Sequence, residues 1–211
     1  YVDNFVVFDD VQYNKRSWQN RNKILIQNNL KWLTIPVKVK DKFSQKINEV
    51  EILDNNWNFN HIESIKRNYS NCTNYKFLEI LENQYNKTRD YKYLYEINYD
   101  FIKFICKYIN IETILFSSSK LDYLKSQNNS MRLINICKKL KSNIYVTTET
   151  ANNYIDSELF KKNGINIEYY EYKPYKKYNQ NTKQFIDKIS IIDLLLMTID
   201  CSKYLNTFHD K

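Results

Sequence analysis

A single glycine, Gly164, serves a chain of 211 residues. Phosphate-cradling loops and G-x-G-x-x-G dinucleotide turns need several glycines, because only a residue without Cβ lets the backbone approach a phosphate closely. Dehydrogenases of the dinucleotide-binding type and P-loop NTPases are therefore not expected. The metalloprotease helix H-E-x-x-H and the hydrolase elbow G-x-S-x-G are also absent. The two histidines are His61 and His209, and His209 falls in the tail. Catalysis must lean on carboxylates, arginines, tyrosines, amides and His61.

Hydrophobic content of 43% and charged content of 27% belong to a globular chain. The formal net charge is +8. Heavy use of Lys, Asn, Ile and Tyr matches AT-rich coding, which raises lysine without any functional demand. Arginine is then the informative cation, since its planar fork grips a carboxylate or phosphate with two bonds. The five arginines are Arg16, Arg21, Arg67, Arg89 and Arg132. Basic residues are spread along the chain with no stripe and no RNA-binding signature, so a nucleic-acid partner is not expected beyond a tRNA-borne donor. Cys72, Cys106, Cys137 and Cys201 lie far apart with no histidine at ligand spacing, so no metal site is expected. Cys106 and Cys137 fall in apolar helical patterns and read as buried thiols. No signal peptide or apolar run of membrane length is present, and a reduced, cytoplasmic setting fits.

The periodicity predicts an α/β fold. Phe5–Phe8 reads as a buried strand. Lys23–Ile26 and Trp32–Ile35 read as a hairpin around the Asn28-Asn29 pair, and Pro36 ends it. Ile47–Ile52 alternates as a short strand. The period then changes to that of helices near Trp57–Ile65, Tyr75–Leu81 and Tyr91–Tyr108, with Asp90 as an N-cap. This is read as a helical insertion over 57–110. Strand and helix alternate from 113 to 170, which predicts a mostly parallel sheet with flanking helices in a single domain over 1–211. Gly164 marks a helix C-terminus. Ser190 opens a last helix, with Asp193 at the capping-box position. Strand-like residues begin almost at Tyr1, as in a shortened version of a larger domain.

One stretch concentrates chemistry: Phe8-Asp9-Asp10-Val11-Gln12-Tyr13-Asn14-Lys15-Arg16-Ser17-Trp18-Gln19-Asn20-Arg21-Asn22. Open parallel sheets bind ligands beyond the carboxyl ends of their strands. Asp9 and Asp10 there could bind a cation, orient a hydroxyl or amine, or act as a base; the plain alternative is a turn with solvated acids. Gln12, Tyr13, Arg16, Trp18, Asn20 and Arg21 add donors and stacking groups suited to a polar cleft. His61 is either a structural histidine or a general acid/base. Arg132, at a helix start after Ser117–Ser119, either reinforces an anion site or is an exposed charge. Thr147–Thr150 either faces the same cleft or caps a helix. The loop with Tyr172, Pro174, Tyr178 and Gln180 either stacks on a ring or folds over the core.

The segment Phe5 to Asn22 resembles the WbqC-like family, bacterial proteins associated with O-antigen and other surface-polysaccharide gene sets. Leu33–Val37, Ile47–Ile52, His61 with Ser64-Ile65 and Tyr69, Arg132 with Ile136-Cys137, Tyr145, Tyr154, Tyr178 with Gln180, and Ser190 with Asp193-Leu194-Leu195 follow in the family's order. The chain lacks the Q-P-x-x-x-P-x-x-G-Y-F-like turn with which members begin. It also lacks their glycine-containing loop, where Thr147–Thr150 stands. The resemblance implies a Rossmann-like, nucleotidyltransferase-like layout by analogy. It implies a transferase moving an acyl or aminoacyl group onto a nucleotide-linked amino sugar in lipopolysaccharide biosynthesis. On that reading Asp10 or His61 is the base, and Arg16, Arg21 or Arg132 holds a phosphate or carboxylate. Trp18 or Tyr178 stacks on a ring, beside Asp9, Gln12, Tyr13, Asn20 and Gln180. The partner is a small molecule; no cofactor is assigned. A non-catalytic ligand-binding protein and an RNA-binding protein are the alternatives.

Overall fold

A computed structural model describes residues 1–27, 29–171, 174 and 176–205. Tyr172 and His209 lie outside them. The architecture is mixed α/β, with small sheets and six α-helices among the described residues. Backbone contacts divide the chain into two compact units: residues 1–7 with 113–174, and residues 8–112 with 175–211.

The first unit holds β1 (Asn4–Val7), β4 (Ile114–Ser117), α4 (Asn129–Lys139), β5 (Ile144–Thr147), α5 (Ser157–Lys162) and β6 (Asn166–Tyr169). β1 pairs in parallel with β4, and β5 in parallel with β6. Parallel pairing is therefore present as expected, but as two separate two-stranded ladders among the described residues. Ile134, Cys137, Phe160 and Ile165 make its core. Burial pushes the Cys137 thiol up to about 11, so it stays protonated.

The second unit holds the hairpin β2 (Arg21–Ile26) and β3 (Asn29–Thr34), then α1 (Trp57–Asn68), α2 (Tyr75–Lys87), α3 (Leu94–Tyr108) and α6 (Ile191–Met197). Arg21 pairs with Thr34 and Ile26 with Asn29 in antiparallel register. Trp57, His61, Ile62 and Ile65 recur at helical spacing and bury one face of α1. Phe77, Leu81, Leu94, Ile97, Leu195 and Leu196 complete the core around them. Asn74 caps α2 by accepting from the Phe77 N–H, while its amide donates to the Leu195 and Thr198 carbonyls.

Three local expectations change. Ile47–Glu49 is a 3-10 turn, not a strand, because the Glu49 carboxylate accepts from the Lys46 N–H at 2.8 Å and closes the turn. Isolated bridges near it pair Gln12 with Lys46, Glu51 with Tyr93 and Ile52 with Val37. The N-cap of α3 is Tyr93, not Asp90; Glu96 accepts from the Tyr93 N–H at 3.0 Å. Ser190 does cap α6, but Asp193 turns inward instead of completing a capping box.

The scarcity of glycine leaves a mark on the helix ends. After α3, α4 and α5 the chain makes the same two bonds, from C″ to C3 and from C′ to C2. The left-handed C′ position is Asn110 (φ 57°), Lys141 (φ 54°) and Gly164 (φ 71°) respectively. Only the third suits it without steric cost. Lys141→Gly is therefore expected to raise the unfolding free energy of its unit by about 1 kcal/mol, and Gly164→Lys to lower it by a similar amount. Urea unfolding of both variants checks this. A Cβ at Gly164 would meet nothing within 4 Å, so the backbone alone sets the cost.

Candidate functional site

The segment after β1 folds as a chain of polar turns. Asp9 is 0% exposed; its carbonyl accepts from the Asn48 N–H at 2.8 Å and its carboxylate from the Asn48 amide at 3.4 Å. The acid is thus not a solvated turn residue. Gln12 donates to the Phe43 carbonyl, and Tyr13 is buried with its N–H on the Gln45 carbonyl. Burial raises the Tyr13 phenol above its ordinary range, with the Arg21 charge opposing. The Gln19 side chain accepts from the Asn14 N–H, and Ser17 donates to the Asn14 carbonyl. Arg16 adopts a left-handed conformation (φ 58°), and its carbonyl accepts from the Arg21 guanidinium. These turns deliver Trp18, Asn20 and Arg21 to the edge of a cavity.

That cavity lies wholly within the second unit and has a volume of about 420 Å³. The hairpin supplies Ile24 and Leu33, with Ile35 just beyond it; α1 supplies Trp57 and His61, and α2 supplies Tyr85. From α3 come Ile97, Asn98, Phe101, Ile102, Ile105 and Cys106, and the start of α6 adds Ile191 and Ile192 after the cap Ser190. The wall is mostly apolar, with a few convergent polar groups, as small-molecule sites commonly are.

His61 is the titratable group of interest. It is 8% exposed, and its Nε2 lies 3.0 Å from the Thr34 carbonyl oxygen. A carbonyl only accepts, so Nε2 carries the proton and Nδ1 holds the lone pair of the neutral ring. The Trp57 ring packs edge-on at 5.3 Å and the Tyr85 ring at 6.0 Å. Burial drives the His61 pKa down to about 4, with the Thr34 bond opposing. At neutral pH the imidazole is uncharged.

Asn20 donates its amide to the Ile35 carbonyl at 3.0 Å. Its Oδ1, the Arg21 Nε and the Trp57 Nε1 are buried without a hydrogen-bond partner. Buried polar groups are ordinarily satisfied, and all three of these belong to residues of the cavity wall.

Of the residues singled out from sequence, Trp18, Asn20, Arg21 and His61 line the cavity together. Asp9, Asp10, Gln12, Tyr13 and Arg16 belong to the same segment but not to the wall. Arg132 lies in the first unit, where its Nε donates to the Tyr123 hydroxyl at 2.8 Å. Tyr178 and Gln180 are spent on Asp193: the phenol donates at 2.6 Å and the amide at 3.0 Å. Tyr69 donates to the other carboxylate oxygen at 2.7 Å. Sequence reasoning missed Trp57, Tyr85, Asn98 and Phe101 as wall residues. On a helical pattern they look like core, and only the gap beside them shows otherwise. Cys106, expected to be buried, is half-exposed and faces the cavity. Among the described residues no group of three or more His, Cys, Asp or Glu could hold a metal ion. No described helix is long and apolar enough to cross a membrane.

Comparison with known proteins places this geometry in a family. The model of the WbqC-like protein family matches residues 1–203. The chain is also 33% identical over 195 residues to the uncharacterized protein Rv1507c of Mycobacterium tuberculosis, covering 92% of this chain and 84% of that protein. No solved structure matches. The chain belongs to the WbqC-like protein family.

Proposed function

We propose that the chain is a transferase that moves an acyl or aminoacyl group onto a nucleotide-linked amino sugar in surface-polysaccharide assembly. The observation that carries this reading is a mostly apolar cavity with a neutral, anchored imidazole in its wall. Ile97, Phe101 and Ile105 would take the apolar part of an activated acyl donor such as a thioester. The sugar amine attacks the carbonyl carbon, a C–N bond forms and the C–S bond breaks. His61 Nδ1 accepts the amine proton, and the leaving thiolate takes a proton in turn. The Thr34 bond fixes the ring so that only Nδ1 is offered. The parallel strand pairs of the first unit support a Rossmann-like layout there.

Mass spectrometry of reactions between the purified chain, a uridine-diphosphate amino sugar and an acyl thioester tests this. An N-acylated sugar nucleotide is expected, with its rate dropping about 100-fold or more in His61→Gln. An unchanged rate in His61→Gln would move the base elsewhere, with Asp10 next to be replaced. The low basicity of His61 favours a second reading, a non-catalytic binding protein. That reading expects tight ligand binding and no product.

A further inference from the structure

The hairpin and the turn before it carry a cluster that extends beyond the cavity wall. Arg21 and Lys23 sit two residues apart on β2, so they share one face, and Lys23 lies directly across from Trp32. Trp18 folds back onto Trp32 with ring centroids 4.8 Å apart. The Arg21 guanidinium lies 4.2 Å over the Trp32 ring, and the Lys23 ammonium lies 4.8 Å from Trp32 and 5.6 Å from Trp18. Both indoles stay open to solvent, Trp18 59% and Trp32 39% exposed. Exposed tryptophans are unusual at a surface with no ligand to meet.

The cations beside these rings are not neutralised. The ion pairs among the described residues are made by other lysines, and neither Arg21 nor Lys23 has a carboxylate partner. The Arg21 Nε is buried without a partner, while the Arg21 guanidinium is steadied by the carbonyl of the left-handed Arg16. Two cations without carboxylate partners beside two partly exposed indoles match a flat ring carrying an anionic tail.

We propose that the Trp18–Trp32–Arg21–Lys23 face binds a nucleoside diphosphate group, with the base on an indole and the phosphates on the two cations. Trp18 and Arg21 also line the cavity, so a substituent on the terminal phosphate would be led toward His61. That last link rests on the proposed transfer reaction; the binding itself does not.

Intrinsic tryptophan fluorescence of the full chain, titrated with uridine diphosphate, adenosine diphosphate, uridine and pyrophosphate, tests the proposal. Saturable quenching by a diphosphate nucleotide is expected, weakening as salt screens the phosphates. Calorimetric binding is expected to fall about 10-fold in Lys23→Gln and by a similar factor in Trp18→Ala. Both substitutions are at exposed or half-exposed positions, so thermal melts should stay near the parent's. Absence of saturable binding at millimolar nucleotide would overturn the proposal. So would equal affinity for pyrophosphate alone, or far tighter binding of single-stranded oligouridylate, which would mark a nucleic-acid surface. Nucleotide binding without acyl transfer would sink only the reaction; transfer without nucleotide binding would sink only this platform.

Discussion

Replacing Asp193 with alanine is expected to destabilise the second unit by about 3–5 kcal/mol, because it removes the acceptor shared by two buried phenols and leaves a cavity. Asp193 is 0% exposed and gathers three donors from two places in the chain: Tyr69 just past α1, and Tyr178 and Gln180 of the loop before α6. Gln180 is further tied to Ile186, donating to its carbonyl at 2.9 Å and accepting from its N–H at 2.8 Å. The Tyr69 oxygen also accepts from the Leu25 N–H at 3.1 Å, which links the network to the hairpin. Removing the carboxylate strands the hydroxyl donors of two phenols, while the Gln180 amide keeps the Ile186 carbonyl, and each orphaned buried group costs about 1–3 kcal/mol. Both phenols are held far above their ordinary range, first by burial and then by the neighbouring carboxylate, so neither can replace the lost charge by ionising. Asp193→Asn keeps the shape and should cost less. Urea denaturation of the two variants measures the difference, and equal losses would show that the charge is immaterial.

The second large effect is a dependence on pH. His61 has a folded pKa near 4 against an ordinary 6.5. Between those values the unfolded chain binds the proton and the folded chain does not. Stability therefore rises with pH through this window and is lost as pH falls from about 6.5 toward 4. At about 1.4 kcal/mol per tenfold, the full loss attributable to His61 is on the order of 3 kcal/mol. Carboxylates titrate in the lower part of the same window, so the parent must be compared with His61→Gln. The variant is expected to show a shallower acid limb, its stability relative to the parent improving as pH drops toward 4. Parallel curves for the two proteins would place the protonation of His61 near its ordinary value.

The helices were legible because their apolar spacing is strong. Trp57, His61, Ile62 and Ile65 marked α1 directly, and the alternation from 113 onward anticipated parallel pairing, though as one sheet and not as two separate ladders. The hairpin was legible from two apolar runs flanking asparagines. What misled was local polar competition. Ile47–Ile52 alternates like a strand, yet Glu49 caps a turn there. Asp193 has capping-box spacing, yet it serves partners 124 and 15 residues away. No local rule reports such distant bonds.

The site divides in the same way. Trp18, Asn20 and Arg21 stood out as rare or chemically dense residues within one stretch, and all three reach the cavity with His61. The low use of arginine was the signal for Arg21. Trp57, Tyr85, Asn98 and Phe101 carried no such signal, since a wall residue and a core residue share one helical pattern. Trp32 and Lys23 were hidden for another reason. Their pairing depends on strand register, which sets which side chains share a face.

On the proposed function, the cavity of the second unit, with His61 in its wall, holds the acyl substrate. An acyl thioester carrying a photoreactive diazirine on its chain tests it most directly. After irradiation of the complete protein, digestion and mass spectrometry identify the labelled residues. Labels on α3 around Phe101 and Ile105, suppressed by excess unlabelled donor, are the expected result. Saturable labelling confined to residues outside this wall, or labelling that excess donor does not suppress, would contradict the claim.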